Sequence, residues 1–217
     1  MNSENQEQQI GKSLKAITDI FGGCNANYRV LGSTLLVAYK NRVFRHINDI
    51  DILLDIGVKD CVFEKLKNYG FELERKTKLG FSWFEAKRND HLGLTFLLIG
   101  KFEKNYFGWH FMKIFELRIK ADYLRPTEYD FENVKFIGVP ISSAIAGIRQ
   151  SFLNPKRKLD KKVLGEEMNK VQVKTYNNIS VYIFGLKLPY LYDFFSFFYN
   201  IYGGIRVVCG RKYEIWD

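Results

Sequence analysis

The sequence is poor in the residues that build disulfide frameworks and metal clusters. Its 217 residues include three cysteines, three histidines and four prolines. Cys24, Cys61 and Cys209 are scattered without a CxxC pair, and the histidines form neither an HExxH nor a Cys/His metal pattern. We therefore expect no disulfide framework and no zinc site, and we predict a reducing, cytoplasmic location.

Long apolar runs are also missing from the start and the middle of the chain. The first twelve residues, MNSENQEQQIGK, are polar, so we expect no signal peptide. The nearest candidate for a membrane span, residues 188–205, is interrupted by Asp193 and rich in tyrosine. We interpret this aromatic segment as core or as an interface of a homo-oligomer, with contact to a membrane surface as the alternative.

Apolar and basic residues are abundant instead. Hydrophobic residues make up 47% and aromatic residues 16% of the chain, which favours a folded domain with a substantial core. The net charge of +9 suits an anionic partner such as a nucleotide, a phosphorylated glycan or a membrane surface. No nucleic-acid recognition motif is visible, so we do not expect nucleic acid as a partner.

Hydrophobic periodicity and turn signals predict the order of the elements. That order is a helix over 6–21, a strand over 28–32, a helix over 33–40, a strand over 48–56, a helix over 59–69, three strands over 71–100, an ambiguous segment over 110–124, a strand over 134–140, a helix over 141–153 and a basic connection over 154–162. The pattern is typical of an α+β (mixed α/β) fold with a small central mixed sheet flanked by helices. We predict a domain over 1–164 and an aromatic-rich C-terminal appendage or subdomain over 165–217.

Two aspartates stand out in the strand NDIDILLDI. Asp49 and Asp51 lie at i and i+2, so both side chains point to one face, while Ile50, Ile52 and Leu54 point to the other. Two buried carboxylates repel each other unless a cation lies between them. Mg²⁺ prefers such oxygen ligands, together with substrate phosphates. The pattern predicts a metal site for phosphoryl or nucleotidyl transfer, against the alternative of a charged edge strand.

A Gly32-Ser33 pair precedes the two aspartates, between a strand and a helix. Glycine lets a backbone approach a phosphate closely, and the N-terminus of a helix offers free N–H groups. We predict that Ser33 is the N-cap of the helix and also donates to a phosphate oxygen. The alternative is a helix cap with no further role.

The stretch LGSTLLVAYKNRVFRHINDIDILLD (residues 31–55) resembles the signature of the nucleotidyltransferase-fold superfamily, which is polymerase-beta-like. Two branches look similar. The abortive-infection and aminoglycoside or lincosamide type matches at Gly32, Ser33, Thr34, Leu36, Arg45, Asp49, Ile50 and Asp51. The fukutin-type phosphocholine transferases match at Thr34, Leu35 and Leu36, but Asn48 replaces the first of their three aspartates.

The resemblance implies a Mg²⁺- or Mn²⁺-dependent enzyme that transfers a nucleotidyl group from an NTP to a hydroxyl on a small molecule, glycan or protein. Asp49 and Asp51 would be the catalytic metal ligands, with Gly32, Ser33 and Arg45 at the phosphates. For Arg45 the alternative is a surface ion pair with a nearby acid. Further candidate phosphate contacts are Arg149, Lys156, Arg157 and Lys158, each with a solvated basic face as its alternative.

Enzymes of this superfamily carry a third carboxylate on a later strand, and the sequence departs from that pattern. Alternation in HLGLTFLLIG places Thr95 on the face where the acid is expected. Glu85 is the other candidate, but a two-residue Asn89-Asp90 turn would pair it with Leu94, on the wrong face. The missing acid favours one alternative to nucleotidyl transfer, an inactive binding or regulatory protein of the same fold. A second alternative, which the basic charge and the aromatic C-terminal segment permit, is a phosphocholine-type transferase that acts on a surface glycan near the inner membrane face.

Overall fold

A computed structural model describes residues 3–78, 81–100, 102–103, 105–111, 115–150, 155–165 and 179–188. The helices are α1 (Ser3–Gly22), α2 (Ser33–Lys40), α3 (Lys59–Asn68), α4 (Ile141–Gln150) and α5 (Pro155–Leu164). The strands are β1 (Tyr28–Leu31), β2 (Asp49–Asp55), β3 (Glu72–Lys78), β4 (Phe81–Lys87), β5 (Gly93–Ile99), β6 (Phe102–Glu103), β7 (Tyr106–Phe111), β8 (Phe115–Lys120), β9 (Thr127–Phe131), β10 (Val134–Gly138), β11 (Ile179–Ile183) and β12 (Leu186–Leu188).

A mixed seven-stranded sheet is the centre of the fold, which confirms the predicted α+β class. Its strand order is β3-β4-β5-β2-β1-β10-β9. The pairs β2–β5 and β1–β10 are parallel, and the other neighbours are antiparallel. β1 and β2, the two strands that the sequence linked to a site, therefore lie side by side in the middle of the sheet.

One face of this sheet is covered by α1 and α3. Ile50, Ile52 and Leu54 are fully buried, as their alternation with the aspartates predicted. The ring of Phe96 on β5 lies 6.2 Å from that of Phe21 on α1 and 5.6 Å from that of Phe63 on α3. Apolar side chains on this face remove both helices' apolar stripes from water. The aspartates project from the opposite face.

A second, five-stranded sheet, which the sequence did not predict, has the strand order β12-β11-β8-β7-β6. Part of the ambiguous segment 110–124 forms its middle strands. Residues 179–183 pair with β8, so this part of the predicted C-terminal appendage continues a sheet that begins at β6. The boundary at residue 164 stays a prediction, because most of the segment 165–217 lies outside the described residues.

The structure corrects the expectation that the cysteines stay apart. Cys24, just after α1, forms a disulfide with Cys61 on α3, with 6.0 Å between the Cα atoms. The two helices pack on the same face of the sheet, which brings together cysteines 37 positions apart. No sequence pattern indicates this disulfide, because the two cysteines meet only when both helices pack on the sheet. The disulfide also removes the cysteine argument for a reducing compartment.

Two local predictions were wrong as well. The connection between β4 and β5 spans residues 88–92 rather than two residues, which shifts the register of β4. The basic connection predicted over 154–162 is the helix α5, with Pro155 at its first position, where a missing N–H costs nothing. In the part of the chain that the structure describes, no helix is long and apolar enough to cross a membrane.

Candidate active site

The two aspartates of β2 lie side by side on the face of the seven-stranded sheet opposite the face that α1 and α3 cover. Both are half-buried, and the residues between and after them, Ile50 and Ile52, are fully buried on the other face. The alternation of a regular strand is what places both carboxylates on one face. The structure thus has the side-chain alternation that the sequence pattern predicted for Asp49 and Asp51.

Gly32 brings the backbone against one of these carboxylates. Leu31, at the end of β1, pairs directly with Asp51 on β2. Gly32 follows with φ +74°, and a Cβ at this position would lie 2.5 Å from Oδ2 of Asp51. Only glycine tolerates both the positive φ and this close approach. The turn therefore places the start of α2 next to the aspartates.

The N-terminus of α2 carries no side-chain cap. The prediction that Ser33 caps this helix was wrong, because the cap position is Gly32, which has no side chain to accept a hydrogen bond. Ser33 is instead the first helical residue, and its hydroxyl accepts a hydrogen bond from Arg45. Within the described part of the chain, no side chain caps the first turn of α2, which suits an anion at this position.

The electrostatics of the pair favour a bound cation. Burial and, after it, the negative charge of the neighbouring Asp49 raise the pKa of Asp51 to about 7, while Arg157 and Lys156 on α5 act in the opposite direction. Two carboxylates this close are costly to ionise together in a partly buried site. A divalent cation between them would remove the repulsion, so the donor set of Asp49 and Asp51 fits Mg²⁺ or Mn²⁺.

Thr95 occupies the position at which the superfamily resemblance led us to expect a third acid. Thr95 pairs with Asp51 across the parallel β2–β5 ladder, and its Oγ1 donates a hydrogen bond of 2.6 Å to Oδ2 of Asp49. The predicted face is correct. A hydroxyl at this position adds no negative charge for a metal ion, but its hydrogen bond fixes the orientation of the Asp49 carboxylate.

Glu85 lies on the same face, contrary to the prediction from a two-residue turn. The longer connection pairs it with Thr95, not with Leu94. It is nevertheless two strands from Asp51, roughly 10 Å across the sheet. Its carboxylate accepts a hydrogen bond of 3.0 Å from Trp83 Nε1 and forms an ion pair of 3.0 Å with Lys87. Among the described residues, no group of three His, Cys, Asp or Glu side chains is placed to hold a metal ion.

Arg45 forms an ion pair, as one of its two alternatives predicted, but this pair is buried rather than on the surface. Its guanidinium, 1% exposed, binds Asp160 on α5 through Nε at 2.7 Å and Nη2 at 3.1 Å. Nη1 donates to the carbonyl of His46 at 3.0 Å, and Nη2 also donates to Ser33 Oγ at 2.5 Å. These four contacts describe a residue that ties three segments together, so direct phosphate contact by Arg45 stays a prediction.

The helix α5 brings further positive charge to the aspartates. Lys156 interacts electrostatically with Asp49 and Asp51. Its pKa is lowered, mainly by burial and secondly by the positive charge of the nearby Arg45. Arg157 Nη1 binds Asp160 Oδ2 at 3.0 Å. Lys158 is exposed, and the side chain of Arg149 lies outside the described ones. Of the candidate basic residues whose side chains the structure describes, Lys156 and Arg157 are the two that interact electrostatically with the aspartates.

Sequence reasoning missed the role of Asp160. This residue is fully buried in α5, although lysines stand at positions 158, 161 and 162 around it. The one available signal was its isolation as the single acid in PKRKLDKKVL, because a lone acid in a basic helix needs a basic partner if the helix packs. Its partner, Arg45, lies 115 positions earlier, and only the fold brings the two together.

A mixed sheet in which a strand ends at a glycine, a helix follows and a second strand carries two carboxylates is the arrangement of the nucleotidyltransferase fold. Comparison with solved structures confirms this fold. The lincosamide antibiotic adenylyltransferase LnuA, lincomycin-bound, superimposes with a TM-score of 0.59 and 17% identity, covering 74% of this chain and 97% of that chain.

Two structures of ANT(2")-Ia are also similar. Its complex with adenylyl-2"-tobramycin has a TM-score of 0.49 at 14% identity, covering 74% of this chain and 91% of that chain. Its solution structure has a TM-score of 0.49 at 16% identity, covering 78% and 89%. No family model matches the sequence. The search of curated proteins likewise found no match. Likeness at these identities shows the fold and leaves the activity to be argued from the site.

Proposed function

We propose that this protein is a divalent-metal-dependent nucleotidyltransferase that moves a nucleotidyl group from an NTP to a hydroxyl acceptor. The observation that carries the proposal is the contact between Gly32 and Asp51. It places the uncapped N-terminus of a helix, an anion site, directly beside two carboxylates that need a cation. A nucleotide triphosphate with its metal ion satisfies both requirements at once.

The residues then have distinct roles. Asp49 and Asp51 would hold Mg²⁺ or Mn²⁺, with phosphate oxygens and water completing its ligands. The N–H groups at the start of α2, together with the Ser33 hydroxyl, would bind the β- and γ-phosphates. Lys156 and Arg157, which already interact with Asp51, would compensate the charge of the triphosphate. Thr95 would keep Asp49 oriented through its hydrogen bond.

The reaction that this arrangement supports is in-line displacement. The oxygen of the acceptor hydroxyl forms a bond to the α-phosphorus as the bond to the pyrophosphate oxygen breaks, and the hydroxyl proton passes to a base or to solvent. The metal ion, when bound, supplies charge neutralisation at the phosphate oxygens. The side chains of this chain contribute by holding the triphosphate in position and by balancing its charge as pyrophosphate leaves.

The acceptor class follows from the fold neighbour only as a proposal. LnuA was solved with lincomycin, a small molecule, so we propose a small hydroxyl-bearing acceptor for this chain. A glycan or protein acceptor, a homo-oligomer and contact with a membrane surface stay predictions from the sequence. Cytoplasmic location stays one too.

Isothermal titration with Mn²⁺ and a non-hydrolysable ATP analogue tests the nucleotide site. We expect wild-type protein to bind the pair together, and the Asp49→Ala, Asp51→Ala double variant to lose binding at least a hundredfold, because both proposed metal ligands are gone. The matched control is Asp55→Asn, which removes a carboxylate from the same face of the same strand, where Asp55 accepts a hydrogen bond from Gly57 N.

Turnover is tested separately by pyrophosphate release from each of the four NTPs with lincomycin as the first acceptor probe. Absent nucleotide binding in the wild type, or binding that is equally weakened by Asp55→Asn, would contradict the proposal. Binding without pyrophosphate release for any NTP and a broad panel of hydroxyl compounds would contradict transfer alone.

That last outcome would favour a second candidate function, a nucleotide-binding or regulatory protein of the same fold without catalysis. The specific observation in its favour is Thr95, which donates to Asp49 at the position where a third carboxylate would bind a second metal ion. Among the described residues no third acid is placed to share a metal ion with the pair. Phosphocholine transfer stays a prediction that rests on the sequence resemblance.

A further inference from the structure

A buried hydrogen-bonded chain connects α5 to the first residue of α2. Asp160, fully buried, binds Arg45 through both carboxylate oxygens, at 2.7 Å and 3.1 Å. Nη2 of Arg45, which makes the longer of these contacts, also donates to Ser33 Oγ at 2.5 Å. The chain spans three segments of the sequence and ends at a hydroxyl one residue from the Gly32–Asp51 contact.

The direction of the last hydrogen bond has a chemical consequence. Arginine has no acceptor and carries only N–H donors, so Ser33 Oγ must be the acceptor in this contact. The hydroxyl hydrogen of Ser33 cannot point along the same line, and it is left to donate elsewhere. A serine held in this way by arginine is set as a donor, which is what recognition of a phosphate oxygen requires.

The position of Arg45 depends in turn on Asp160. A guanidinium that is 1% exposed needs a paired carboxylate, because an unpaired buried charge is costly. The bidentate contact also fixes the plane of the guanidinium, so that Nη2 reaches both Asp160 and Ser33. Arg157 Nη1 binds the same Oδ2 of Asp160 at 3.0 Å, which adds a second cation to the anchor.

We propose that Asp160 is a positioning residue for phosphate recognition, acting through Arg45 to hold the Ser33 hydroxyl as a hydrogen-bond donor toward the triphosphate. The proposal rests on the proposed nucleotide site. Asp160 itself touches neither phosphate nor metal in this proposal.

A double-mutant cycle tests the proposal with inorganic tripolyphosphate and Mg²⁺ as the probe. We expect Ser33→Ala and Asp160→Asn each to weaken binding about tenfold, the size of one lost charge-assisted hydrogen bond. If Asp160 acts through Ser33, the double variant should have the same affinity for tripolyphosphate as the single variant with the lower affinity. Losses that multiply would show a separate structural role for Asp160 and overturn the proposal, as would an unchanged affinity in Ser33→Ala.

A second cycle covers the case in which Asp160→Asn does not fold. Arg45→Lys keeps the buried charge, but its single ammonium lacks the planar fork that contacts Asp160 and Ser33 together. Combined with Ser33→Ala, it should show the same lack of additivity, and additive losses would again overturn the proposal. Exposed Lys158→Gln is the matched control on α5, because it removes a charge from the helix outside this chain of contacts.

The outcomes separate this inference from the proposed function. Wild-type protein that binds tripolyphosphate, shows the non-additive cycle and releases no pyrophosphate would support the positioning role and contradict nucleotidyl transfer. Protein that turns over NTP with additive losses would contradict the positioning role alone. Wild-type protein without affinity for tripolyphosphate or nucleotide would overturn both.

Discussion

The two faces of strand β2 carry opposite contributions to the protein. On one face, Ile50, Ile52 and Leu54 are fully buried beneath α1 and α3. On the other, Asp49 and Asp51 place two carboxylates side by side, and burial with mutual repulsion raises the pKa of Asp51 to about 7. Successive residues of one strand therefore stabilise the fold and oppose it in alternation.

The apolar face of β2 supplies the free energy that keeps the strand folded, although the other face carries two like charges. The apolar face buries complete side chains, each of which contributes about 1.5–3 kcal/mol when removed from water. The carboxylate face costs free energy until a cation or a proton neutralises it. Packing of the apolar face therefore holds the two like-charged carboxylates in place. Substitutions on one face at a time can measure the two contributions separately.

The largest effect is expected on the covered face. Ile52→Ala should lower the free energy of unfolding by about 4 kcal/mol, because it opens a cavity between β2 and the helices. Urea unfolding followed by circular dichroism measures this loss. The control is Ile56→Ala, just beyond the end of β2, where the side chain is 52% exposed and the loss should stay below about 1 kcal/mol. Equal losses at the two positions would mean that α1 and α3 do not cover this face.

The disulfide on the covered face has the next largest expected effect. The paired substitution Cys24→Ser, Cys61→Ser should lower the free energy of unfolding by about 3 kcal/mol, since the cross-link closes 37 positions of chain in the unfolded state. Thermal unfolding of both proteins without reductant measures the difference, and Cys209 is present in each. Three free thiols in the oxidised wild type by mass spectrometry would show that this pair does not form.

The carboxylate face should respond with the opposite sign. The pKa of Asp51 is raised from 3.8 to about 7 in the folded protein, so the folded state keeps its proton to a higher pH than the unfolded state. The free energy of unfolding therefore falls as pH rises from about 4 to about 7, and the full penalty applies above pH 7. Asp51→Asn removes that penalty, so in EDTA at pH 8 the variant should be more stable than wild type by about 2 kcal/mol, roughly half of what the pKa shift alone corresponds to, because solvent screens a half-buried carboxylate.

Melting temperatures from pH 4 to pH 8 check this sign, because the advantage of Asp51→Asn should shrink toward zero near pH 4. Asp55→Asn is again the control, since asparagine keeps the Oδ1 that accepts from Gly57 N and removes only a charge, so its stability relative to wild type should change little across this pH range. A variant that is less stable than wild type at pH 8 would contradict the repulsion between Asp49 and Asp51.

The contrast between the faces was readable from the sequence, because it depends on local alternation. The pattern NDIDILLDI predicted which residues of β2 are buried, and the same reasoning placed Thr95 on the aspartate face. The step from β1 through Gly32 to α2 was also predictable, since glycine at a strand end before a helix is a strong local signal. The fold class followed from these elements together.

What the sequence did not predict depends on contacts between distant segments. The Arg45–Asp160 pair joins positions 115 apart, and the disulfide joins positions 37 apart. The role of Glu85 depended on the length of one turn, since a change of register moves a side chain to the other face. The second sheet was missed because its strands are short and partly separated in sequence by α4 and α5.

The smallest expected effect concerns the third carboxylate that the aspartate face of β2 and β5 lacks. Thr95 pairs with Asp51 and donates to Asp49, so an acid at this position would stand beside both aspartates. Thr95→Asp should raise the affinity for Mn²⁺, measured by isothermal titration in the absence of nucleotide, by about tenfold. This corresponds to about 1.4 kcal/mol, because a third anionic oxygen ligand is gained at the cost of one hydrogen bond. In EDTA the same variant should be less stable than wild type, because a third like charge is added.

Thr95→Asn is the matched control, since it has a similar shape to aspartate, keeps a donor for Asp49 and adds no charge. We expect its affinity for Mn²⁺ to stay within about threefold of wild type. A gain in Thr95→Asn as large as that in Thr95→Asp would mean that shape rather than charge limits the site. Unchanged affinity in Thr95→Asp would mean that the metal ion, if bound by Asp49 and Asp51, lies on the side of the pair that faces Gly32 and α2 rather than the side that faces β5.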